Sequence, residues 1–334
     1  MTCARDRAVR LVLAGLLVAG CGAPGLTGSA GTATSGLPSA SAVAASASSS
    51  TSPTAAVPAS VPASSSASPS TRPGFAHIYL LLLENHEYGS IVGSDDAPYL
   101  NGLFARYGLA TAMHAVAHPS EPNYVALVSG GTQGIHDDGV YDLDVPSLFD
   151  QIEAAGRTWR VYAQGYPGSC STVASTDAVG DGPGRAGDYA RKHNPAISFT
   201  AISRNPARCA GISGLAGFDP AAADFEMIVP NQINDMHSAS VRTGDDFLAT
   251  FLPSILGSAA FAAGSLLIVT FDEGGSNDGG GGHIATLVAT PSMAAGTRFD
   301  AAATHYSVLR TIEDAWGMPS LGAAAHASAL PITP

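Results

Sequence analysis

Phe75-Ala76-His77-Ile78-Tyr79-Leu80-Leu81-Leu82-Leu83, followed at once by Glu84-Asn85-His86-Glu87-Tyr88, is the stretch on which the fold turns. The first run is almost continuously apolar and of strand length. A strand apolar on both sides needs cover on both faces, as interior strands of a parallel sheet do. The switch to carboxylate, amide and imidazole at its carboxyl end is the place where open α/β sheets carry their sites.

The pattern repeats down the chain. Leu109–Val116 and Thr158–Ala163 read as strands, as do Phe225–Val229, Ser265–Phe271 and Ile284–Ala289. Helices are predicted at Pro98–Tyr107, from Val145-Pro146-Ser147 to Ala155, at Gly244–Leu256 and at His305–Trp316. The Gly244–Leu256 helix would carry Phe247, Leu248, Phe251 and Ile255 on one face. Alternation of strand and helix implies an α/β fold, with a mostly parallel central sheet and helices on both faces. Gln164–Phe218 is rich in Gly and Pro and reads as a long irregular insertion over the site. No internal repeat is visible.

Between the second and third strands lies Ala117-His118-Pro119-Ser120-Glu121-Pro122-Asn123-Tyr124. Pro122 suits the first turn of a helix, where its missing N–H costs nothing. The apolar positions Tyr124, Val125, Leu127 and Val128 continue that helix to Ser129-Gly130-Gly131. Ser120 therefore falls at a helix N-terminus. Free N–H groups and the helix dipole favour an alkoxide or a phosphate oxygen there.

Not all of the 334 residues belong to this domain. Arg5, Arg7 and Arg10 precede an apolar run from Leu11 to Gly20, the layout of an export signal over residues 1–20. Leu17-Val18-Ala19-Gly20-Cys21 resembles a bacterial lipobox, with Cys21 as the lipidated residue. Residues 21–73 are almost all Ala, Ser, Thr, Pro, Gly and Val, and read as a disordered stalk. The expected location is the outer face of a bacterial cell membrane, held by lipid only. From Gly74 to Pro334, the expected catalytic domain, there are 11 basic and 26 acidic residues, a net charge of −15. That balance argues against a nucleic-acid partner and against long-range steering of anions. Cys170 and Cys209 are the pair left for the exported domain, and an oxidising compartment favours their disulfide.

Three strand ends share one design: Glu84-Asn85, Asp235 with His237, and Asp272-Glu273. Parallel packing would gather these groups at one sheet edge, beside Ser120. Oxygen and imidazole donors collected there suit a divalent cation. On the segments LLLLENHEY, AHPSEPNY with ALVSGG, KHNP, IVPNQINDMH, IVTFDEG, GGHIATLVATP and HYSVLRTIED, the chain resembles the bacterial phosphoesterase family of acid phosphatases and phospholipases C. That family lies in the alkaline-phosphatase-like superfamily. The resemblance implies a nucleophile at Ser120 and metal ligation by Glu84, Asn85, Asp272 and Glu273. It implies a divalent metal of open identity and number. Catalytic histidines are implied at His237, His193 and His118, with His237 the first choice of general acid. Substrate contacts are implied at Asn123, His283 and His305. The expected activity is that of an acid-phosphatase-like phosphomonoesterase working through a phosphoserine, with a small phosphate ester or a phospholipid headgroup as partner. A phospholipase C-type diesterase is the alternative, and a non-catalytic surface-binding lipoprotein is the alternative of another class.

Overall fold

The computed structural model describes residues 74–175 and 189–334. The export signal, Cys21 and the stalk lie outside the described residues, as do residues 176–188 of the insertion. No described helix is long and apolar enough to cross a membrane.

Among the described residues one sheet holds nine strands. They are β1 (Ile78–Leu83), β2 (Gly108–His114), β3 (Trp159–Ala163), β4 (Ile212–Ser213), β5 (Phe225–Val229), β6 (Leu266–Phe271), β7 (His283–Ala289), β8 (Thr297–Phe299) and β9 (Ala303–Thr304). Their spatial order is β4-β3-β5-β1-β6-β7-β2-β8, with β9 also beside β2. The quoted stretch thus forms the centre of the sheet. All six residues of β1 are buried, as are all of β5 and β6 on either side of it. Burying a side chain of this size contributes about 1.5–3 kcal/mol. The neighbours in β4-β3-β5-β1-β6 run parallel.

Several elements depart from the sequence expectation. The strand at Ile284–Ala289 runs antiparallel to both β6 and β2. The helix expected over Gly244–Leu256 starts earlier, at Val241, where Ser240 Oγ accepts from the Thr243 N–H. It stops at Phe251, and Pro253 opens a separate turn of helix to Leu256, because proline lacks the N–H an unbroken helix needs. The insertion is not wholly irregular. Short helices occupy Thr200–Ser203 and Pro206–Cys209, and β4 extends the sheet edge. Cys170 and Cys209 form a disulfide.

Among the described helices, Ser120–Ser129 packs against His305–Trp316 and Pro98–Arg106 against Val241–Phe251. One carboxylate is sealed in the sheet. Glu226 of β5 lies in register between Tyr79 and Arg160, with Oε1 accepting from the Ala223 N–H at 3.2 Å. Burial pushes its carboxyl up to about 8.

Candidate active site

Register places the first two acidic groups side by side. Leu83 pairs with Phe271, so Glu84 and Asp272 leave adjacent parallel strands at the same level. The Asp272 N–H donates to the Leu83 carbonyl at 2.9 Å. The Glu84 N–H donates to the Asp235 carbonyl at 2.8 Å, which ties in the loop after β5. Two residues in this edge have left-handed backbone, Asn85 at φ 53° and Met236 at φ 82°. Such backbone away from glycine is uncommon and clusters at functional sites.

Ser120 is the first residue of a ten-residue helix ending at Ser129, with Gly130 in the left-handed conformation as its stop. The helix is buried along its whole length. Asn123 fixes how the chain enters it. Its Oδ1 accepts from the Val116 and Ala117 N–H groups at 3.0 Å each, and its Nδ2 donates to the Ala117 carbonyl at 2.8 Å. The glycine-rich loop braces the same segment from outside. A Cβ on Gly281 would lie 2.4 Å from the Ala117 carbonyl oxygen.

Ser120 Oγ donates to Glu84 Oε2 at 3.1 Å. Glu84 Oε1 accepts from the Tyr124 hydroxyl, one turn further along the helix. Tyr124 stacks on His193, with centroids 5.2 Å apart. His193 Nε2 lies 3.2 Å from Glu84 Oε1, and Nδ1 lies 3.4 Å from Asp235 Oδ2. Burial, with Asp272 and Asp235 close by, raises Glu84 well above the usual carboxylate range. Burial and Glu273 push Asp272 up to about 7. Burial and the Lys192 charge hold His193 well below the usual imidazole range, so it is neutral.

This set fits a divalent cation. Glu84, His193 and Asp235 each offer a buried ligand atom within 4.8 Å of the others. His193 Nε2, Asn85 Oδ1 and Asp272 Oδ2 are buried and make no hydrogen bond. Buried polar atoms normally have partners, and mixed carboxylate and imidazole donors serve divalent metals. Carboxylates crowded in a low-dielectric edge repel one another until positive charge joins them.

The structure brings some of the expected site residues together and places others apart. Glu84, Asn85, Asp272, Ser120 and His193 do come together. Asp235, one of the expected strand-end donors, sits with Glu84 and His193 although it was outside the implied ligand set. Tyr124 was read only as an apolar helix position, and its hydroxyl bond to Glu84 was missed. Glu273 turns to His118, Oε2 to Nδ1 at 2.7 Å, while His118 Nε2 faces the Ser276 carbonyl at 2.8 Å. Burial would lower His118, but these two acceptors outweigh it and its pKa is raised. His237 lies at the rim with part of its side chain open to solvent, 5.9 Å from the His193 ring, its pKa lowered by the partial loss of water around the ring and by Lys192. Asn123 was expected at the substrate, but its amide is occupied by backbone. His283 stacks between Tyr88 and His114 and bonds to the Thr111 carbonyl at 2.9 Å, because the antiparallel β7 carries it toward β2. His305 is fully buried, pushed down to about 4, and its Nε2 donates to the Phe271 carbonyl at 3.1 Å. Both contacts support the frame of the site rather than face its opening.

Residues 92–319 match the family model described as the phosphoesterase family. The chain belongs to the phosphoesterase family. A phosphatidylinositol-3-phosphatase of Mycobacterium tuberculosis is 33% identical over 264 residues, covering 78% of this chain and 83% of that protein. An acid phosphatase of Aspergillus fumigatus is 30% identical over 260 residues, 74% of this chain and 56% of that one. This phosphoesterase therefore spans little more than half of that fungal relative. The lipoteichoic acid synthase LtaP from Listeria monocytogenes superposes with a TM-score of 0.50 at 10% identity, covering 77% of this chain and 78% of that one. That likeness is one of fold alone.

Proposed function

We propose that this phosphoesterase is a metal-dependent phosphomonoesterase that works through a phosphoserine on Ser120. It is a phosphoric ester hydrolase by family, which sets aside a purely binding role. The observation that carries the finer reading is Ser120 Oγ–H donating to Glu84 Oε2 at 3.1 Å, at the start of a ten-residue helix. A hydroxyl beside an unusually basic carboxylate, at the positive end of a helix, is an activated nucleophile.

Glu84, Asp235 and His193 would hold the cation, with Asn85 and Asp272 beside them; when bound it supplies positive charge to serine and phosphate oxygens. Glu84 Oε2 is placed to take the serine proton. The Oγ–phosphorus bond forms as the ester oxygen leaves with a proton from an acid at the rim. Water then breaks the Oγ–phosphorus bond and inorganic phosphate departs. His237 is the exposed histidine of the group and supports the acid role. Its pKa lies below the ordinary imidazole value, so it is protonated only toward acid pH. Activity should fall as pH rises through that value. The relative named phosphatidylinositol-3-phosphatase matches along most of its length and supports a monoester, free or on a lipid headgroup, over a phospholipase C substrate.

The test is acid quenching during turnover of a chromogenic monoester, followed by mass spectrometry of the Ser120 peptide. A phosphoryl adduct on Ser120, and its loss with all turnover in Ser120→Ala, is the expected result. Near-normal rates in Ser120→Ala would remove the nucleophile from its role. Faster release of headgroup from phosphatidylcholine than of phosphate from monoesters would turn the reading to the diesterase.

A further inference from the structure

Lys192 is the single lysine of the whole chain, and it stands at this site. Its side chain is 18% exposed, and Nζ lies 2.8 Å from Asp138 Oδ2. The other oxygen of the same carboxylate accepts from the Glu121 N–H at 3.1 Å. Glu121 follows Ser120 directly, so one carboxylate spans the ammonium and a first-turn N–H of the nucleophile's helix. Lys192 also acts on Glu84, Asp272, Glu273, His193 and His237, the charged and titratable groups that reach this edge from β1, β6, the insertion and the loop after β5. The neighbouring Arg191 is buried and occupied by the Tyr141 carbonyl at 2.6 Å and by Asp142 at 3.3 Å. Among the described residues at this edge, Lys192 is the cation whose partner is an exposed rim carboxylate, which an incoming anion can replace.

The arrangement has the form of a filled oxyanion place. An ammonium and a helix N–H converging on one anion is how proteins hold phosphate oxygens. Here the anion is Asp138, supplied by the exposed segment His136-Asp137-Asp138. A domain of net charge −15 repels phosphate at long range, so a local cation matters more than usual.

We propose that Lys192 is a phosphate-binding residue whose Nζ exchanges Asp138 for a non-bridging oxygen of the substrate phosphate, with Asp138 as an internal competitor for that place. The proposal rests on the reading of Ser120 as the nucleophile toward a phosphate ester. No covalent bond changes in the exchange.

A lone lysine makes the test clean. The full chain is treated with a limiting amine-acetylating reagent, with inorganic phosphate or with chloride at equal ionic strength, and acetylation at position 192 is read by peptide mass spectrometry. Phosphate should slow labelling about 10-fold at saturation, since it bonds the amine in place of Asp138 and also fills the opening through which the reagent reaches the 18% of the side chain left exposed. Equal labelling in phosphate and chloride overturns the proposal. In kinetics, Lys192→Gln should raise KM for a chromogenic monoester about 10- to 100-fold, and Lys192→Arg should recover most of it, because a hydrogen bond between charged groups is lost and then restored. An unchanged KM in Lys192→Gln overturns it as well. Asp138→Asn should lower the phosphate concentration that half-protects Lys192; an unchanged value removes the competitor. Labelling needs no turnover. Protection in a protein that hydrolyses no ester would overturn the Ser120 chemistry and leave the anion place standing. Hydrolysis through Ser120 without protection would do the reverse.

Discussion

Replacing Tyr124 by phenylalanine removes one hydroxyl and little else. The ring is fully buried and stacks on His193 at 5.2 Å, and phenylalanine keeps that contact. The hydroxyl donates to Glu84 Oε1 and favours its ionised form, opposing burial, Asp272 and Asp235, which together still raise the group. A hydrogen bond to a charged acceptor contributes about 1.5–3 kcal/mol. If it goes into holding Glu84 ready for the cation, its loss weakens metal binding about 10- to 150-fold. The assay is activity against buffered free divalent metal, from chelated protein upward, beside a melting curve. The metal midpoint should rise by that factor, with kcat at saturating metal changed only a few-fold. Without the hydroxyl a proton competes better for Glu84, so the shift should be larger at pH 5 than at pH 8. A midpoint equal to that of the parent protein, in a variant that melts normally, would refute the reasoning. Tyr124 would then be ordinary core and Glu84 no ligand.

Two further outcomes test the frame. Glu226 sits in β5 with its carboxyl raised from an ordinary value of 4.5 to about 8, so its neutral form belongs to the folded state. The folded protein binds the extra proton between those values, and stability should fall as pH rises through that window and level off above it. The separation bounds the loss at about 5 kcal/mol. Glu226→Gln should flatten the slope of melting temperature between pH 5 and 8; an unaltered slope would place the titration elsewhere. The Cys170–Cys209 disulfide closes a loop of sequence separation 39. Loop entropy alone puts its contribution near about 4 kcal/mol. Cys170→Ser should lower the melting temperature on the order of 10 °C, read by calorimetry. Unchanged melting would mean the loop is held by packing alone.

The central strands were legible because each is an apolar run with nowhere to go but the middle of a sheet. Phe225–Val229 was read to the residue, and Ser265–Phe271 to within one. The reversed direction of β7 was not legible. Ile284–Ala289 has the same apolar character whichever way it runs, and only the short glycine-rich return from β6 could have suggested a hairpin. Convergence of Glu84 and Asp272 followed from parallel neighbouring strands, and Ser120 was brought to them by its helix N-terminus. Histidine roles did not follow, because imidazole serves equally as ligand, acid or strut. His283 and His305 are struts on backbone carbonyls, and nothing local in sequence marks that use. Tyr124 escaped for a similar reason: at helical spacing a tyrosine looks like core until its hydroxyl is seen to point at a carboxylate.

The Asn123 clamp divides labour at this edge. One amide, bonded to the backbone of residues 116 and 117, decides where Ser120 stands, while the loop at 136–138 borders the opening from another part of the chain. Reach and preference can drift independently of the attacking atom's position. New substrates could be accommodated by rewriting the rim, with the hydroxyl kept on its original mark.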